Sequence, residues 1–400
     1  STRTSILTGH VQVRSDSGTL TADTLYRLES LGQTTAKGHV HLNNDTLALE
    51  ADWFFDDRTA GESFARGRVR VEDLPDRAIV YGDTLARLTH RKEMIFPRRP
   101  LLLFLDSSQV RDSNEIVRTR MDTTFLRSDT LHLIEGDSAR AVARGMVRML
   151  RGGFAMAGGL LCYDRAQDLM TVGRDVPRAS APSSTPMHST GLTGPDPTAQ
   201  HTTAPARQRV WNDSTEIDAD SLAMLMREHH IQRVRAVGHA FATSPMEEAP
   251  NSGRVHQLQS DEMLLVVERD TARRLLAMNS ARSIYFLVTD GKPDGVDRAS
   301  GDTIRIDIRG KQARRLAVIS GTEGEYFPER FVRGRAAAFR LADYERHDNE
   351  RPIRAEFTLP THTDDSPTTA SPKTGAQSRP ASTRTTSRPR ALKKGTAKRP

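Results

Sequence analysis

Histidine pairs and recurring carboxylates are the residues through which this chain of 400 would do chemistry. His39 and His41 stand two apart, which puts both imidazoles on one face of a strand and could begin a metal site. No third ligand falls at a matching spacing, so a solvated strand face is the reading we take. His229 and His230 beside Glu228 meet the same test with the same result. An aspartate recurs in Asn44-Asp45-Thr46-Leu47, Gly82-Asp83-Thr84-Leu85, Ser128-Asp129-Thr130-Leu131, Ala219-Asp220-Ser221-Leu222, Ser260-Asp261-Glu262-Met263 and Gly301-Asp302-Thr303-Ile304. A calcium ladder would need dense Gly-Asp runs, which the sequence lacks. These aspartates are instead expected to close turns by bonding their own backbone ahead of a strand. Gly152-Gly153 and Gly158-Gly159 have neither the spacing nor the lysine of a phosphate loop, and read as bends. Cys162 stands alone, which excludes an intramolecular disulfide or a multi-cysteine metal site and predicts a packed thiol. No nucleophile-and-base arrangement can be nominated on spacing. The expectation is a non-enzymatic protein with no catalytic residue, metal or cofactor.

The elements that carry these residues are strands. Two and four residues beyond the motif aspartates lie Leu47 and Leu49, Leu131 and Leu133, Leu222 and Met224, Met263 and Leu265, and Ile304 and Ile306. A period of two puts them on one face. A second strand starts at a glycine in Gly9-His10-Val11, Gly38-His39-Val40-His41-Leu42, Gly67-Arg68-Val69-Arg70-Val71 and Gly145-Met146-Val147. Glycine there suits a bend, a bulge or close packing between strands. Asp23 precedes Gly38 by 15 residues, Asp52 precedes Gly67 by 15 and Asp129 precedes Gly145 by 16, whereas Asp220, Asp261 and Asp302 are 41 apart. Such recurrence predicts stacked β units that cannot bury their apolar faces alone. Residues 220–237 and 261–278 also satisfy a helical spacing, but they keep the motif and its register, and strands are expected there too.

Charge and composition divide the chain. Nine of its 58 basic residues and two of its 51 acidic ones lie from Thr361 onward, leaving 49 of each before it. The net charge of +7 therefore belongs to the tail, and a nucleic-acid-binding surface on the folded part is not supported. At 36% hydrophobic and 5% aromatic, the sequence suits a thin, elongated core. Four segments are expected: β repeats over 1–175, a Pro/Ser/Thr-rich disordered linker over 176–209, a second β block over 210–357 and a basic disordered tail over 358–400. No run approaches the ~20 apolar residues of a membrane helix. The start at Ser1-Thr2-Arg3 fits a removed export signal or a trimmed chain, and an opening residue other than cysteine argues against a lipid anchor there.

Leu20-Thr21-Ala22-Asp23-Thr24-Leu25-Tyr26 followed by Ala36-Lys37-Gly38-His39-Val40 resembles the repeat of the OstA/LptA family. So does Leu49-Glu50-Ala51-Asp52-Trp53-Phe54-Phe55 followed by Ala65-Arg66-Gly67-Arg68-Val69. The resemblance is fullest over residues 5–90 and looser over 120–175 and 210–325. It implies an open β-jelly-roll of two facing sheets around an apolar groove that shields lipid A acyl chains. It also implies assembly with other OstA/LptA-type proteins by edge-strand addition, and with an outer-membrane barrel, in the periplasm or at the periplasmic face of the outer membrane. Lipopolysaccharide or a related envelope lipid is the implied ligand. Carried onto this sequence, the groove candidates are Leu25, Val40, Leu42, Leu47, Leu49, Trp53, Phe55, Val69, Val71, Leu85, Leu131, Leu133 and Val147. For Trp53, Phe54 and Phe55, plain core packing stays open beside groove lining. Two other functions stay open as well: a structural or adhesive β repeat with a packed core, and a nucleic-acid-associated protein acting through its tail.

Overall fold

The computed structural model describes residues 3–15, 18–75, 77–111, 117–136, 139–174, 207–227, 230–247, 249, 252–268, 271–309 and 312–359. Most of the expected linker and all but the first two residues of the expected tail lie outside this set, as do Glu228 and His229. The chain opens as an antiparallel meander of β1 (Thr4–Ser15), β2 (Gly18–Leu28), β3 (Gln33–Asn43), β4 (Leu47–Asp57), β5 (Glu62–Asp73) and β6 (Ala78–Leu88). Every pairing in it shifts register at mid-strand: between Thr21 and Thr24, Lys37 and Val40, Glu50 and Trp53, and Arg66 and Val69 along successive strands. Bulges aligned across neighbouring strands bend the whole meander along one line.

The two halves of the bent strands become separate sheets at β6. Its first half pairs with β8 (Leu101–Arg111), and its second half pairs with β7 (Glu93–Phe96). The first sheet continues through β9 (Val117–Arg127), and the second through β10 (Thr130–Ile134). Both meet again on β11 (Arg140–Arg151) and β12 (Phe154–Asp164), which span the corner. They part once more. The second sheet takes β13 (Leu169–Gly173) and later β16 (Ser221–Arg227), and the first takes β14 (Gln208–Asn212) and β15 (Thr215–Ala219). Strand β14 thus begins two residues inside the segment expected to be a linker, and it joins the two β blocks directly. Corner-spanning strands resume with β17 (His230–Pro245), β18 (Val255–Glu268), β19 (Thr271–Thr289) and β20 (Lys292–Arg309). The fold closes on β21 (Gln312–Ile319), paired with the second half of β20, and β22 (Glu323–Pro328), paired with its first half. The architecture is all-β, as expected, and the segments with helical spacing are strands.

Between the sheets runs one continuous apolar cluster from Ala22 to Ile304, with Val40, Ala36, Ala143, Met156, Met224, Met263 and Ile304 fully buried. The first sheet is apolar on its outer face as well. Leu101, Leu103, Phe125, Trp211, Ile284 and Phe286 lie there, which explains the unbroken run Leu101-Leu102-Leu103-Phe104-Leu105. The expected end of the second β block covers that face. After β22 the chain forms α1 (Glu329–Val332) and then runs back as short 3-10 turns to Phe357. Val332 and Phe339 pack on Ile284, Phe286 and Val296, and Phe357 packs on Leu101, Leu103 and Phe125. Polar anchors fix this strap at intervals. Arg254 reaches Glu329 at 2.6 Å, the Gln257 side chain bonds the backbone of Phe339 and Leu341, the buried Glu216 accepts from the His347 backbone N–H at 3.0 Å, and Arg148 pairs with Glu356.

Candidate functional site

The Asp and Gly signals prove to be one device. Asp23, Asp52, Asp129 and Asp220 each sit at the corner opposite the corner glycine of the adjoining long strand. Gly38, Gly67, Gly145 and Gly238 have φ of +73°, +72°, +82° and +83°. A Cβ on Gly67 would lie 2.9 Å from the Cβ of Asp52, and one on Gly38 would lie 2.9 Å from the Cγ of Asp23. The carboxylates accept hydrogen bonds across the corner, from the Arg68 Nε–H to Asp52 at 2.9 Å and from the Met146 backbone N–H to Asp129 at 3.1 Å. The imidazoles of His39 and His239 stand 2.8 and 2.9 Å from Asp23 and Asp220. Turn closure, expected of the motif aspartates Asp129 and Asp220, is therefore corrected: both brace a corner. It is done instead by Asn44, which accepts from the Thr46 and Leu47 N–H groups, and by Asp57, which accepts from Thr59 and Ala60. The same bonds, with Gln33, hold the Asp57 carboxyl below its usual range.

This device positions the inner faces. Leu25, Val40, Leu47, Leu49, Val69, Val71, Leu85, Leu131 and Val147 are buried, and Leu42 and Leu133 are partly buried against the central cluster. Trp53 and Phe55 take the opposite face. The bulge after Glu50 advances the register by one residue, so Phe54 enters the core opposite Ala36 and Ala65, while Trp53 pairs with Lys37 and Arg66. Outside, Trp53 stacks on Phe55 at 6.2 Å, Phe55 on Phe64 at 6.4 Å, and the Arg66 guanidinium lies over the Trp53 ring at 4.9 Å.

From β2 to β17 the described inner-face residues Val40, Ala65, Val69, Leu131, Met156 and Met224 are sealed from solvent. A cleft of about 700 Å³ opens where β17 to β21 meet. Leu265, Ala272, Leu275, Ile306, Ile308 and Leu316 form its aliphatic side on the second sheet. The facing side, from the first sheet, carries the small and polar Ala242, Ser244, Ser283, Tyr285 and Asp297 beside the aliphatic Leu258, Leu287 and Val288. His256 stacks on Tyr285 with ring centroids 4.3 Å apart, and its Nδ1 accepts from the Phe286 backbone N–H at 3.2 Å. That bond leaves the second ring nitrogen, Nε2, to carry the proton. Burial pushes the His256 pKa down to about 4, so the ring is neutral at neutral pH. Ser283 is 2% exposed, and its hydroxyl has no hydrogen-bond partner among the described residues. Burial also pushes the Asp297 carboxyl up. Nothing in the repeat motif marks these residues. The one signal in the sequence is the wider 41-residue spacing of the C-terminal block.

No family model matches the sequence, and no curated protein matches it. Among solved structures, the chain is similar to LptH, described as the LptA-homologous periplasmic component of the lipopolysaccharide transport device of Pseudomonas aeruginosa. The identity is 11%, covering 48% of this chain and 96% of that one, with a TM-score of 0.18. A likeness at that score carries no argument, and the fold rests on the strand pairing itself. Among the described residues no helix is long and apolar enough to cross a membrane.

Proposed function

We propose that this chain is a non-enzymatic protein that binds lipopolysaccharide or a related envelope lipid, holding acyl chain between its two sheets at the C-terminal cleft. The observation that carries the reading is the cleft itself: about 700 Å³, aliphatic along one side and open. Its size falls in the range of small-molecule sites, and each methylene taken from water would contribute roughly 0.8 kcal/mol without any charged catalytic group. The proposal places the protein in the periplasm or at the periplasmic face of the outer membrane. Its edges are suited to strand addition: among the described residues β1 pairs only with β2 and exposes Ile6 and Leu7, while β21 and β22 pair only with β20. Other OstA/LptA-type proteins and an outer-membrane barrel would be the partners.

A photo-crosslinking residue at Ile306 or Ile308, in protein incubated with lipopolysaccharide, should form a lipid adduct, and one at Val69 or Leu131 should not. Absence of an adduct at both cleft positions, relative to a soluble control protein, would count against lipid binding. A structural β repeat is the second reading, favoured by the sealed inner-face residues described between β2 and β17, such as Val40, Val69, Leu131 and Met224. On that reading lipid leaves the chain untouched at every position.

A further inference from the structure

The two sides of the cleft differ in charge as well as in polarity. The charged residues contributed by the first sheet and its turns are acidic, Asp213, Glu247 and Asp297; those from the second sheet are basic, Arg314 and Arg315. On the inner face of the first sheet, Asp297 lies directly opposite Tyr285 of β19 and Tyr326 of β22. Cross-strand neighbours on one face stand close enough for their side chains to interact. Among the described residues Asp297 has neither an ion-pair nor a hydrogen-bond partner. The neighbouring acid Asp294 accepts from the Thr289 hydroxyl at 2.9 Å, and Glu329 is engaged by Arg254. His256, stacked on the far side of Tyr285, is neutral and supplies no cation. A carboxylate beside a tyrosine across the strand pair, with no cation of its own, is the arrangement that attracts an ammonium group. Arg314, across the cleft, has no carboxylate partner among the described residues either, and a guanidinium of that kind suits phosphate. The unpartnered Ser283 hydroxyl lines the same cleft, on the first-sheet side, where an ester carbonyl would satisfy it.

We propose that the cleft selects a zwitterionic amphiphile, with its ammonium at Asp297 and Tyr285, its phosphate towards Arg314 and its acyl chain along Leu275, Ile306 and Ile308. This rests on the reading that the cleft holds acyl chain, and of the two ligands named there it favours a related zwitterionic envelope lipid over lipopolysaccharide, whose lipid A headgroup is anionic. Because acid and base lie on opposite sides, a purely anionic lipid would meet Asp297 uncompensated, and an uncharged one would leave both charges without partners.

The test is titration calorimetry of the full chain, below the critical micelle concentration, with three lipids of one acyl length: lysophosphatidylcholine, lysophosphatidylglycerol and monoacylglycerol. Lysophosphatidylcholine should bind about tenfold more tightly than lysophosphatidylglycerol. Asp297→Asn, which keeps the shape of the side chain, should abolish that preference without weakening monoacylglycerol binding. Tyr285→Phe should keep the preference, and Tyr285→Leu should lose it. Equal binding of the two phospholipids, or a preference that survives Asp297→Asn, would overturn the headgroup assignment while acyl binding stands. If none of the three lipids binds, the acyl reading falls and takes this proposal with it.

Discussion

Replacing Gly67 by alanine tests whether the corner is what specifies this fold. At φ of +72° a residue with a Cβ costs about 1–2 kcal/mol in left-handed backbone alone. The new methyl would also sit 2.9 Å from the Asp52 Cβ, so the Asp52 side chain must leave its place and give up Arg68. That ion pair is exposed and is worth about 0–1 kcal/mol. With the displaced packing, the total is about 2–3 kcal/mol. Gly152→Ala is the control. Its φ is +54° with nothing within 4 Å of the added Cβ, so only the backbone cost of about 1–2 kcal/mol should appear. The coupling comes from a double-mutant cycle. Asp52→Gly alone should cost about 1 kcal/mol, from the lost pair and the added strand flexibility. Combined with Gly67→Ala, it should cost less than the sum by about 1 kcal/mol, because the overlap is gone. Urea denaturation followed by far-ultraviolet circular dichroism gives all four values. Strict additivity, with Gly67→Ala no worse than Gly152→Ala, would refute the claim that Asp52 is what the glycine makes room for.

Acidification should separate the wild type from His256→Phe. The folded protein binds fewer protons at His256, with its pKa of about 4, than the unfolded chain does at about 6.5, so this residue removes stability as pH falls through that window. By pH 5 the loss is about 2 kcal/mol, and the stability difference between wild type and variant should move by that amount between pH 7 and pH 5. Asp218 acts in the opposite sense: burial raises it to about 6, its folded form gains a proton first, and its contribution grows as pH falls from 6 towards 3.8. Phe357→Ala should free the end of the strap, at a local cost of about 3–5 kcal/mol. Hydrogen exchange over residues 346–357 should rise while β2 to β5 stay protected, and unchanged exchange there would contradict the anchoring role. Ile308→Trp should fill the cleft and lower lipid affinity without unfolding the chain, whereas Leu131→Asp, at a position 1% exposed, should unfold it, as thermal melts would show.

What could be read in the sequence was whatever the corner repeats. The period of two, the one apolar face and the Asp-to-Gly separation of 15 or 16 residues all follow from a hairpin whose two strands bend at the same place. Counting onward by twos from Leu47 and Leu49 fails at Trp53 and Phe55, because the bulge adds a residue that leaves no mark in the hydrophobic pattern; beyond it Phe54 is the inward residue. The strap was illegible for another reason. Its anchoring residues follow no period, since Val332 and Phe339 share one apolar patch on the outer face and Phe357 drops into another. The run Leu101 to Leu105 was visible, but its cause was not, because a strand buried on both faces looks the same whatever covers it.

The spacing of the C-terminal repeats explains why the interior opens where it does. Between Asp23 and Asp52 two strands and their turns take 29 residues, while between Asp220 and Asp261, and again to Asp302, they take 41. The corners lie along one line, so the added residues lengthen the arms. Beyond its bulge β3 runs only from Val40 to Asn43, whereas β19 runs from Ala281 to Thr289. At about 3.3 Å per residue, that extends the arm from about 13 to about 30 Å. Short arms are held together by the side chains next to the corner, and Val40, Ala65 and Val69 are accordingly sealed. Long arms reach past that contact. Tyr285 and Asp297 belong to the extension, and the strands that end the fold, β21 and β22, each serve one sheet only and cannot draw the arms together. A lengthened repeat with no corner-spanning strand beyond β20 therefore yields a cleft with one aliphatic and one partly polar side, and the same corner chemistry that packs the N-terminal half leaves the C-terminal half able to receive a ligand.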